Sequence, residues 1–313
     1  MITYFKTISN CICKIDEFEA GCWVNVIAPT QDEITLLQNK FNIEPEHFLS
    51  SLDEEESSHI DIEDDYTFII FDVPYAEKEN NNLIYFTAPV GVVVTTTNVI
   101  TIAKTDNPVL MDFSKGVVKG VETCHKTEFV LTMFLRMATR FLAYLRQIDR
   151  YSSNLESKLR KSMNNKELVQ LLDLQKSLVY FQSSLKYNDL TVMKISKGRV
   201  LKMYEDDEDL LEDVLIEMKQ AIEMTNISSS VLSNTMGALS SLISINLNGV
   251  MKVLTSITIL MAIPTMIFSF YGMNIGEGFG GGLPFSGNMI FVCIFTVVVT
   301  IACGVILRWK KLL

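Results

Sequence analysis

The sequence predicts a membrane protein with an α+β body, a long stalk helix and two transmembrane helices. In the body, a mixed α/β N-terminal part precedes a helical part. The membrane prediction rests on two apolar stretches, 250–270 and 289–307. As a helix, the first would be roughly 31 Å long, close to the thickness of a bilayer core. The body prediction rests on β-branched runs before residue 125 and on helical apolar spacing after it.

The N-terminal part, residues 1–125, contains both strand and helix patterns. Two β-branched runs, 66–73 and 89–103, predict strands, and the sequences "EKENNN" and "TTTN" predict the turns that interrupt them. The stretches 30–41 and 45–52 have the pattern of short helices. We therefore expect a mixed α/β domain here.

The next part of the chain is predicted to be helical. Residues 126–204 show apolar residues at helical spacing, and a break at 161–167 divides them into two antiparallel helices. Residues 205–249 form the cytosolic part of the stalk. The pattern then continues without a break, so one helix should extend from about Leu210 to Phe270.

The two spans have a predicted orientation. An outer loop, 271–288, separates the first span (250–270) from the second (289–307), and a basic tail (308–313) follows. The loop contains no Lys or Arg, so the positive-inside rule places it outside and both termini in the cytoplasm of a multi-pass plasma-membrane protein. The alternative is a pair of core helices in a soluble protein. The basic residues that flank the spans are Lys252, Arg308, Lys310 and Lys311.

Charge and motifs exclude several function classes. The net charge is -10 overall and +3 from residue 248 onward, which leaves -13 on residues 1–247. An acidic body without a basic patch excludes a nucleic-acid partner. It suggests that the partners are cations, or that the charge only keeps the protein soluble. The six cysteines show no disulfide spacing, and the polar N-terminus is not a secretory signal. Nucleophile-elbow, P-loop and zinc-protease motifs are absent from the sequence, so an enzyme is not expected.

A stripe of small or polar residues follows the predicted long helix. Its positions alternate by four and three residues, so they share one helix face. Close helix packing is one explanation, since small residues line membrane helix interfaces. The other explanation is a pore lining, which requires a ring of copies. The positions are Ser230, Asn234, Gly237, Ser241, Ser244, Asn248, Met251, Thr255, Thr258, Ala262, Thr265 and Ser269.

The sequence Tyr271-Gly272-Met273-Asn274 closes the first span. Together with the long helix before it and the short loop, second span and basic tail after it, this motif resembles the GMN signature of the CorA family of divalent-cation channels. "NGVMKVLT" (248–255) also resembles the family's entry into the first span. "HIDIEDDYTFIIF" (59–71) is similar to a strand segment of its cytosolic domain.

The resemblance implies a homopentamer in the lipid bilayer in which the first span of each subunit lines the pore. It implies Mg²⁺ influx, with Co²⁺ or Ni²⁺ as frequent alternatives and Zn²⁺ in one branch. The same fold carrying one of these other ions is therefore the alternative function. A membrane-anchored cytosolic interaction module is the alternative from another class.

The resemblance implies a selectivity filter at Gly272, Met273 and Asn274. Neutral amide oxygens of Asn274 would hold a hydrated Mg²⁺, which gives up its water reluctantly. A helix C-cap is the structural alternative for Asn274. The role of Glu277, the only charge in the loop, stays open. The predicted pore-lining residues are Asn248, Met251, Leu254, Thr255, Thr258, Ala262, Thr265 and Ser269.

Two acidic runs, 53–65 and 205–213, have a structural and a regulatory interpretation. Such runs usually form solvated faces or complement a helix dipole. The resemblance implies instead cytosolic cation sites between subunits that close the channel when internal Mg²⁺ is high. Asp213 is the stalk acid at such a site. Its candidate partners are Asp61, Glu63, Asp64 and Asp65.

Overall fold

A computed structural model describes residues 1–79, 82–161, 165–198, 200–271, 289–310 and 312. The chain divides into two compact units, Met1–Thr235 and Met236–Leu313, and the division falls within one long helix.

The first unit is built on a seven-stranded sheet with the order β2-β1-β3-β7-β6-β5-β4. Neighbouring strands are antiparallel except β3 and β7, which are parallel. The predicted mixed α/β domain is therefore present. The strands are β1 (Ile2–Ile8), β2 (Cys11–Ile15), β3 (Trp23–Ile27), β4 (His59–Ile62), β5 (Tyr66–Glu79), β6 (Asn82–Thr95) and β7 (Val99–Ala103).

Helices cover both faces of this sheet. On one face Leu37 and Phe48 of the first two helices pack with Val24, Phe68 and Ile102 of the strands. On the other face Phe71 contacts Phe134 of the fourth helix, with ring centroids 4.6 Å apart. The helices are α1 (Gln31–Phe41), α2 (Pro45–Leu52), α3 (Pro108–Ser114), α4 (Lys126–Lys161), α5 (Asn165–Ser196), α6 (Glu205–Tyr271) and α7 (Met289–Trp309).

Both short helices predicted from the sequence are confirmed. Thr30 caps α1: its hydroxyl accepts from the Glu33 backbone N–H at 3.4 Å, and the Glu33 carboxylate accepts from the Thr30 N–H at 2.9 Å. This reciprocal box satisfies two backbone donors that the first turn would otherwise leave unpaired. Pro45 opens α2, where a missing N–H costs nothing.

Three strands and one helix were not predicted: β1, β2, β3 and α3. The first two strands form the exposed end of the sheet and carry few buried side chains, so their period-two signal is weak. By contrast, β3 is buried on both faces and has no alternation. Its Trp23 is fully buried, and its indole N–H donates to Thr101 Oγ1 at 2.9 Å.

The β5–β6 pair extends further than the sequence predicts. The two strands pair from Tyr66 opposite Thr95 to Glu79 opposite Asn82. Most of the predicted "EKENNN" turn is therefore strand, and residues 80–81 lie outside the described residues. The "TTTN" turn is confirmed, because β6 ends at Thr95 and β7 begins at Val99.

The antiparallel helical pair is also confirmed. The amide nitrogen of Asn188 on α5 lies 3.4 Å from Met137 Sδ on α4. Further along α4, Phe141 packs edge-on against Phe181, with centroids 5.0 Å apart. From Met137 to Phe141 the residue numbers rise along α4, whereas those of their contacts on α5 fall from Asn188 to Phe181. The two helices are therefore antiparallel. Of the predicted break, residues 162–164 lie outside the described residues.

A single buried amide joins α5 to the edge of the sheet. Pairing with β4 ends at Ile70, so the N–H and carbonyl of Asp72, two residues further along β5, face the side that β4 no longer covers. Asn188 occupies the position of the missing strand. Its Oδ1 accepts from the Asp72 N–H at 2.9 Å, and its Nδ2 donates to the Asp72 carbonyl at 2.8 Å. The Ser58 hydroxyl also donates to Oδ1, at 2.6 Å.

Two helices, α6 and α7, are long and apolar enough to cross a membrane. In the most apolar 18-residue stretch of each helix, only 6% (α6) and 17% (α7) is buried inside the described structure. Neither helix is therefore a core helix within this chain. The long helix begins at Glu205, somewhat before the predicted start near Leu210, and continues to Tyr271. The second span begins at the predicted Met289 and ends at Trp309.

We predict that Asn188→Leu will lower the free energy of unfolding by about 2–5 kcal/mol, because two buried backbone groups of Asp72 lose their partner. Chemical unfolding of the purified full-length protein would measure this loss. The matched control is Asn226→Leu, since Asn226 is exposed and accepts one hydrogen bond from Gln182. The control should change stability by less than about 0.5 kcal/mol. Equal losses in both variants would contradict this assignment.

We also predict a pH-dependent contribution from Asp72. Burial raises the pKa of its carboxyl from 3.8 to about 6, although the Ser184 hydroxyl opposes the shift. The folded-state pKa lies above the unfolded-state value, so ionisation destabilises the fold. The resulting loss in the free energy of unfolding starts near pH 4 and is complete above about pH 6, where it reaches about 3 kcal/mol.

The melting temperature of Asp72→Asn should therefore rise relative to wild type between pH 4 and pH 7, and the difference should then stay constant. The control is Asp32→Asn, which removes an exposed carboxyl from the first turn of α1. A difference between Asp72→Asn and wild type that is independent of pH would show that folding does not shift the pKa of Asp72.

Candidate functional site

In the second unit, one side of α6 packs against α7 and the C-terminal residues. Over 250–270 the less exposed positions are Ser256, Leu260, Ile263, Pro264 and Ile267. The Ser256 hydroxyl donates to the backbone carbonyl of Leu312 at 2.8 Å. Gly304 of α7 lies so close that an added Cβ would be 3.6 Å from Leu260 Cδ2. These positions recur every three or four residues and define the packed seam of α6.

The eight predicted pore-lining residues lie on the other side of α6, and all are exposed. At about 100° per residue, they occupy a sector whose centre is about 165° around the helix from the packed seam. Thr258, Ala262, Thr265 and Ser269 line one shallow groove on this side. At the other end of the stripe, Asn248, Met251 and Thr255 line a groove that also includes Leu307 of α7 and Leu312. Among the described residues, the stripe is therefore exposed along its whole length and borders α7 only at this end.

The hydroxyl groups of the stripe are oriented by their own helix. Thr255, Thr258 and Thr265 each donate to the carbonyl oxygen four residues earlier, at 2.8, 2.9 and 2.9 Å. Ser241 and Ser244 do the same, at 3.1 Å each. A hydroxyl has one proton to donate. These five oxygens therefore present only acceptor lone pairs to whatever occupies the exposed side.

The predicted filter residues, Gly272, Met273 and Asn274, lie outside the described residues, as does Glu277. Tyr271 is the last residue of α6, and its ring meets that of Phe270 edge-on, with centroids 5.8 Å apart.

The predicted regulatory acids have different surroundings. Asp213 is exposed on α6 and lines a groove that also contains Lys119, Arg136 and Glu217. None of its four candidate partners lines this groove. Within one chain, Asp213 thus lies among charges of both signs, and its pairing with one of the four candidate acids stays a prediction.

Three of the four partner candidates have specific contacts at the edge of the sheet. Asp61 Oδ2 lies 3.2 Å from His59 Nε2 and 3.5 Å from His47 Nε2. Asp65 accepts a hydrogen bond from the Asn42 side chain at 3.2 Å. Glu63 lies close to Glu44 and His47. Asp64 is exposed and has no described contact, so its predicted role as a partner of Asp213 stays a prediction.

The sequence analysis did not identify His47 as a candidate ligand. The only sequence pattern around this residue is a histidine three positions after Glu44, at the start of a helix, and this pattern does not indicate a metal site. Glu63 lies far along the chain, and β4 brings it there, so only the tertiary structure reveals the cluster.

Comparison with known proteins supports a common fold and a common family. The sequence profile described as CorA-like Mg²⁺ transporter protein matches residues 18–310. The cobalt/magnesium transport protein CorA of Methanocaldococcus jannaschii is 26% identical over 281 residues, 85% of this chain and 82% of that protein. The magnesium transport protein CorA of Campylobacter jejuni is 23% identical over 264 residues, covering 80% of each chain.

A solved structure has the same architecture. The structure described as the complete CorA magnesium transporter of Methanocaldococcus jannaschii superimposes with a TM-score of 0.81 at 23% identity. The match covers 98% of this chain and 97% of that one. The predicted fold class is therefore confirmed: a mixed α/β N-terminal domain, a long helix and two candidate transmembrane helices.

Proposed function

The chain belongs to the CorA-like Mg²⁺ transporter family, and on that premise we propose that it forms a homopentameric channel for Mg²⁺ influx. In this proposal α6 lines the pore from residue 250 to 270, α7 surrounds it, and residues 271–288 form the outer mouth. Residues 1–249 and the basic tail lie in the cytoplasm, where divalent cations close the channel.

The acceptor-only stripe of α6 is the observation that carries this proposal. Hydrated Mg²⁺ keeps its inner water shell, and those waters point their protons outward. A pore wall for this ion therefore needs oxygen acceptors, spaced along the path and individually weak enough to release the ion. Thr255, Thr258 and Thr265 fit this requirement, because their protons are already bonded to the helix.

The exposure of the stripe supports assembly from several copies. In a single chain the stripe would face lipid, which offers no hydrogen bonds to its oxygens. A ring of copies that turn their stripes inward encloses water instead. The number five comes from the family resemblance. Two charges crossing 100 mV gain about 4.6 kcal/mol, so an inward-negative potential suffices to drive influx.

We assign the filter to Asn274, flanked by Gly272 and Met273, as the family signature implies. A ring of amide oxygens would bind the hydrated ion without the tight binding that a carboxylate ring produces. At the other end of the span, Met251 and Leu254 are exposed on the stripe side. Apolar rings at these positions would close a pore by dewetting.

Regulation is proposed for Asp213, facing Asp61, Glu63, Asp64 or Asp65 of a neighbouring copy. Bare carboxylates repel one another across a subunit boundary, and a divalent cation removes that repulsion. High internal Mg²⁺ would thus hold the subunits together in the closed state.

The second candidate is the same channel with Co²⁺ as its ion, and Ni²⁺ or Zn²⁺ as further alternatives. The name of the Methanocaldococcus jannaschii relative, a cobalt/magnesium transport protein, favours Co²⁺ among them. The stripe offers hydroxyl and amide oxygens, which suit Mg²⁺ better than ions that prefer nitrogen or sulfur.

The function is tested by ion flux into proteoliposomes, with Mg²⁺, Co²⁺ and Zn²⁺ measured separately. We predict Mg²⁺ flux in wild type, its loss in Asn274→Ala, and a several-fold reduction in Thr258→Val, where one ring of acceptors disappears. The matched control is Thr300→Val on α7, which also removes a hydroxyl bonded to its own helix. Equal reductions in Thr258→Val and Thr300→Val would contradict the stripe as pore lining. Flux of Co²⁺ or Zn²⁺ alone would favour the second candidate.

Regulation is tested by the internal Mg²⁺ concentration that halves the flux. We predict that Asp213→Asn raises this concentration by about five-fold or more, a typical size for coupling between sites. Asp209→Asn, an exposed acid one turn earlier on α6, is the matched control and should behave as wild type. An unchanged midpoint in Asp213→Asn would remove Asp213 from the regulatory site while leaving the channel itself intact.

A further inference from the structure

A compact group of metal-ligating side chains lies at the edge of the sheet, where α2 meets β4 and β5. One ligand atom from each of Glu44, His47 and Glu63 lies within 4.8 Å of the other two. Glu44 is the N-cap residue of α2, His47 is in its first turn, and Glu63 directly follows β4. The β4–β5 turn is fixed by a hydrogen bond from the Glu63 N–H to the Tyr66 carbonyl at 2.9 Å.

The imidazole of His47 is buried and held in place, with 6% of the residue exposed. Its ring stacks on Phe68 with centroids 4.2 Å apart, and its Nδ1 lies 2.9 Å from the Tyr66 hydroxyl. The same hydroxyl accepts from the Glu44 N–H at 3.0 Å. Metal-binding histidines commonly have such a partner at one ring nitrogen, because it fixes the ring orientation and the tautomer.

A second histidine is connected to this group through Asp61. The Asp61 carboxylate lies 3.5 Å from His47 Nε2, the long limit of a hydrogen bond, and 3.2 Å from His59 Nε2. Among the described residues, no Lys or Arg pairs with Glu44, Asp61 or Glu63. In the described part of the chain, three carboxylates without a Lys or Arg partner thus lie close to a buried imidazole.

We propose that Glu44, His47 and Glu63 bind a first-row transition-metal ion such as Zn²⁺ or Co²⁺, with Asp61 available as a further ligand. One nitrogen with two or three carboxylate oxygens is a donor set that suits these ions, whereas Mg²⁺ prefers oxygen and retained water. A tetrahedral ion with bonds of about 2.0 Å needs its ligand atoms about 3.3 Å apart. The exposed Glu44 and the half-buried Glu63 reach that separation by side-chain rotation around the fixed imidazole.

This site is separate from the proposed transport path, although Glu63 and Asp61 are also among the candidate partners of Asp213 in the proposed regulatory site. All its ligands come from one copy of the first unit, so it needs neither the pore nor a neighbouring subunit. The exposed carboxylate of Glu44 gives an ion in solution direct access. The site would therefore bind transition-metal ions even in the presence of abundant Mg²⁺.

Metal stoichiometry of the full-length protein tests the site. Chelator-stripped protein in detergent is dialysed against Zn²⁺ in excess Mg²⁺, and bound zinc per chain is measured by elemental analysis. The comparison includes Glu63→Gln, Glu44→Gln and His47→Gln. The matched control is His125→Gln, since the exposed His125 pairs only with Glu128 among the described contacts.

We expect wild type and His125→Gln to bind one more zinc per chain than the other variants, whose affinity at this site should fall by more than about 100-fold. With Co²⁺, the visible absorption band of a nitrogen-containing site should be lost in the same variants. An equal zinc count and an unchanged Co²⁺ spectrum in Glu63→Gln and Glu44→Gln would overturn the proposal. These two variants decide the question if His47→Gln, with its buried ring, fails to fold. Mg²⁺ flux should be unaffected in Glu44→Gln, since Glu44 belongs to neither the proposed pore nor the proposed regulatory site, so the outcome does not depend on the channel proposal.

Discussion

A polar group in the hydrocarbon of a membrane has to find its hydrogen-bond partner within the protein. This constraint accounts for much of the second unit. Threonine and serine hydroxyls on α6 turn back to their own carbonyls, so a helix rich in polar residues remains compatible with an apolar surrounding. The same orientation leaves the oxygens facing outward as acceptors. The same hydrogen bond thus satisfies the hydroxyl proton within the helix and leaves its oxygen available to the hydrated ion that we propose passes beside it.

The first unit satisfies a similar constraint with a side chain instead of a backbone. Where β4 stops, the edge of β5 would leave the N–H and carbonyl of Asp72 buried without partners. Asn188 pairs with both, because an amide side chain has the same donor and acceptor as a peptide group. The contact also fixes α5 on the sheet, and α4 packs against α5 through Phe141 and Phe181. A short break in strand pairing therefore determines where the helical layer lies.

Features that depend on local sequence could be predicted, and features that depend on tertiary contacts could not. The short helices at 30–41 and 45–52 and the two long apolar helices are each encoded within a few turns of chain, and each is confirmed. The strands β1 to β3 were missed, because an exposed edge pair and a strand buried on both faces show no clean alternation. The His47 cluster was missed for a different reason: β4 brings Glu63 to a helix that ends eleven residues earlier. The predicted filter stays a prediction, since residues 272–288 lie outside the described residues.

The Asn188 contact has a consequence for assembly. An uncovered strand edge is a template on which another chain can add a strand, and this leads to aggregation. A protein that works as several identical copies brings identical edges to high local concentration, where such strand addition is a particular risk. By occupying the backbone N–H and carbonyl of Asp72, Asn188 removes that template just beyond the end of β4. A single amide thus protects this part of the sheet against the addition of a strand from another chain.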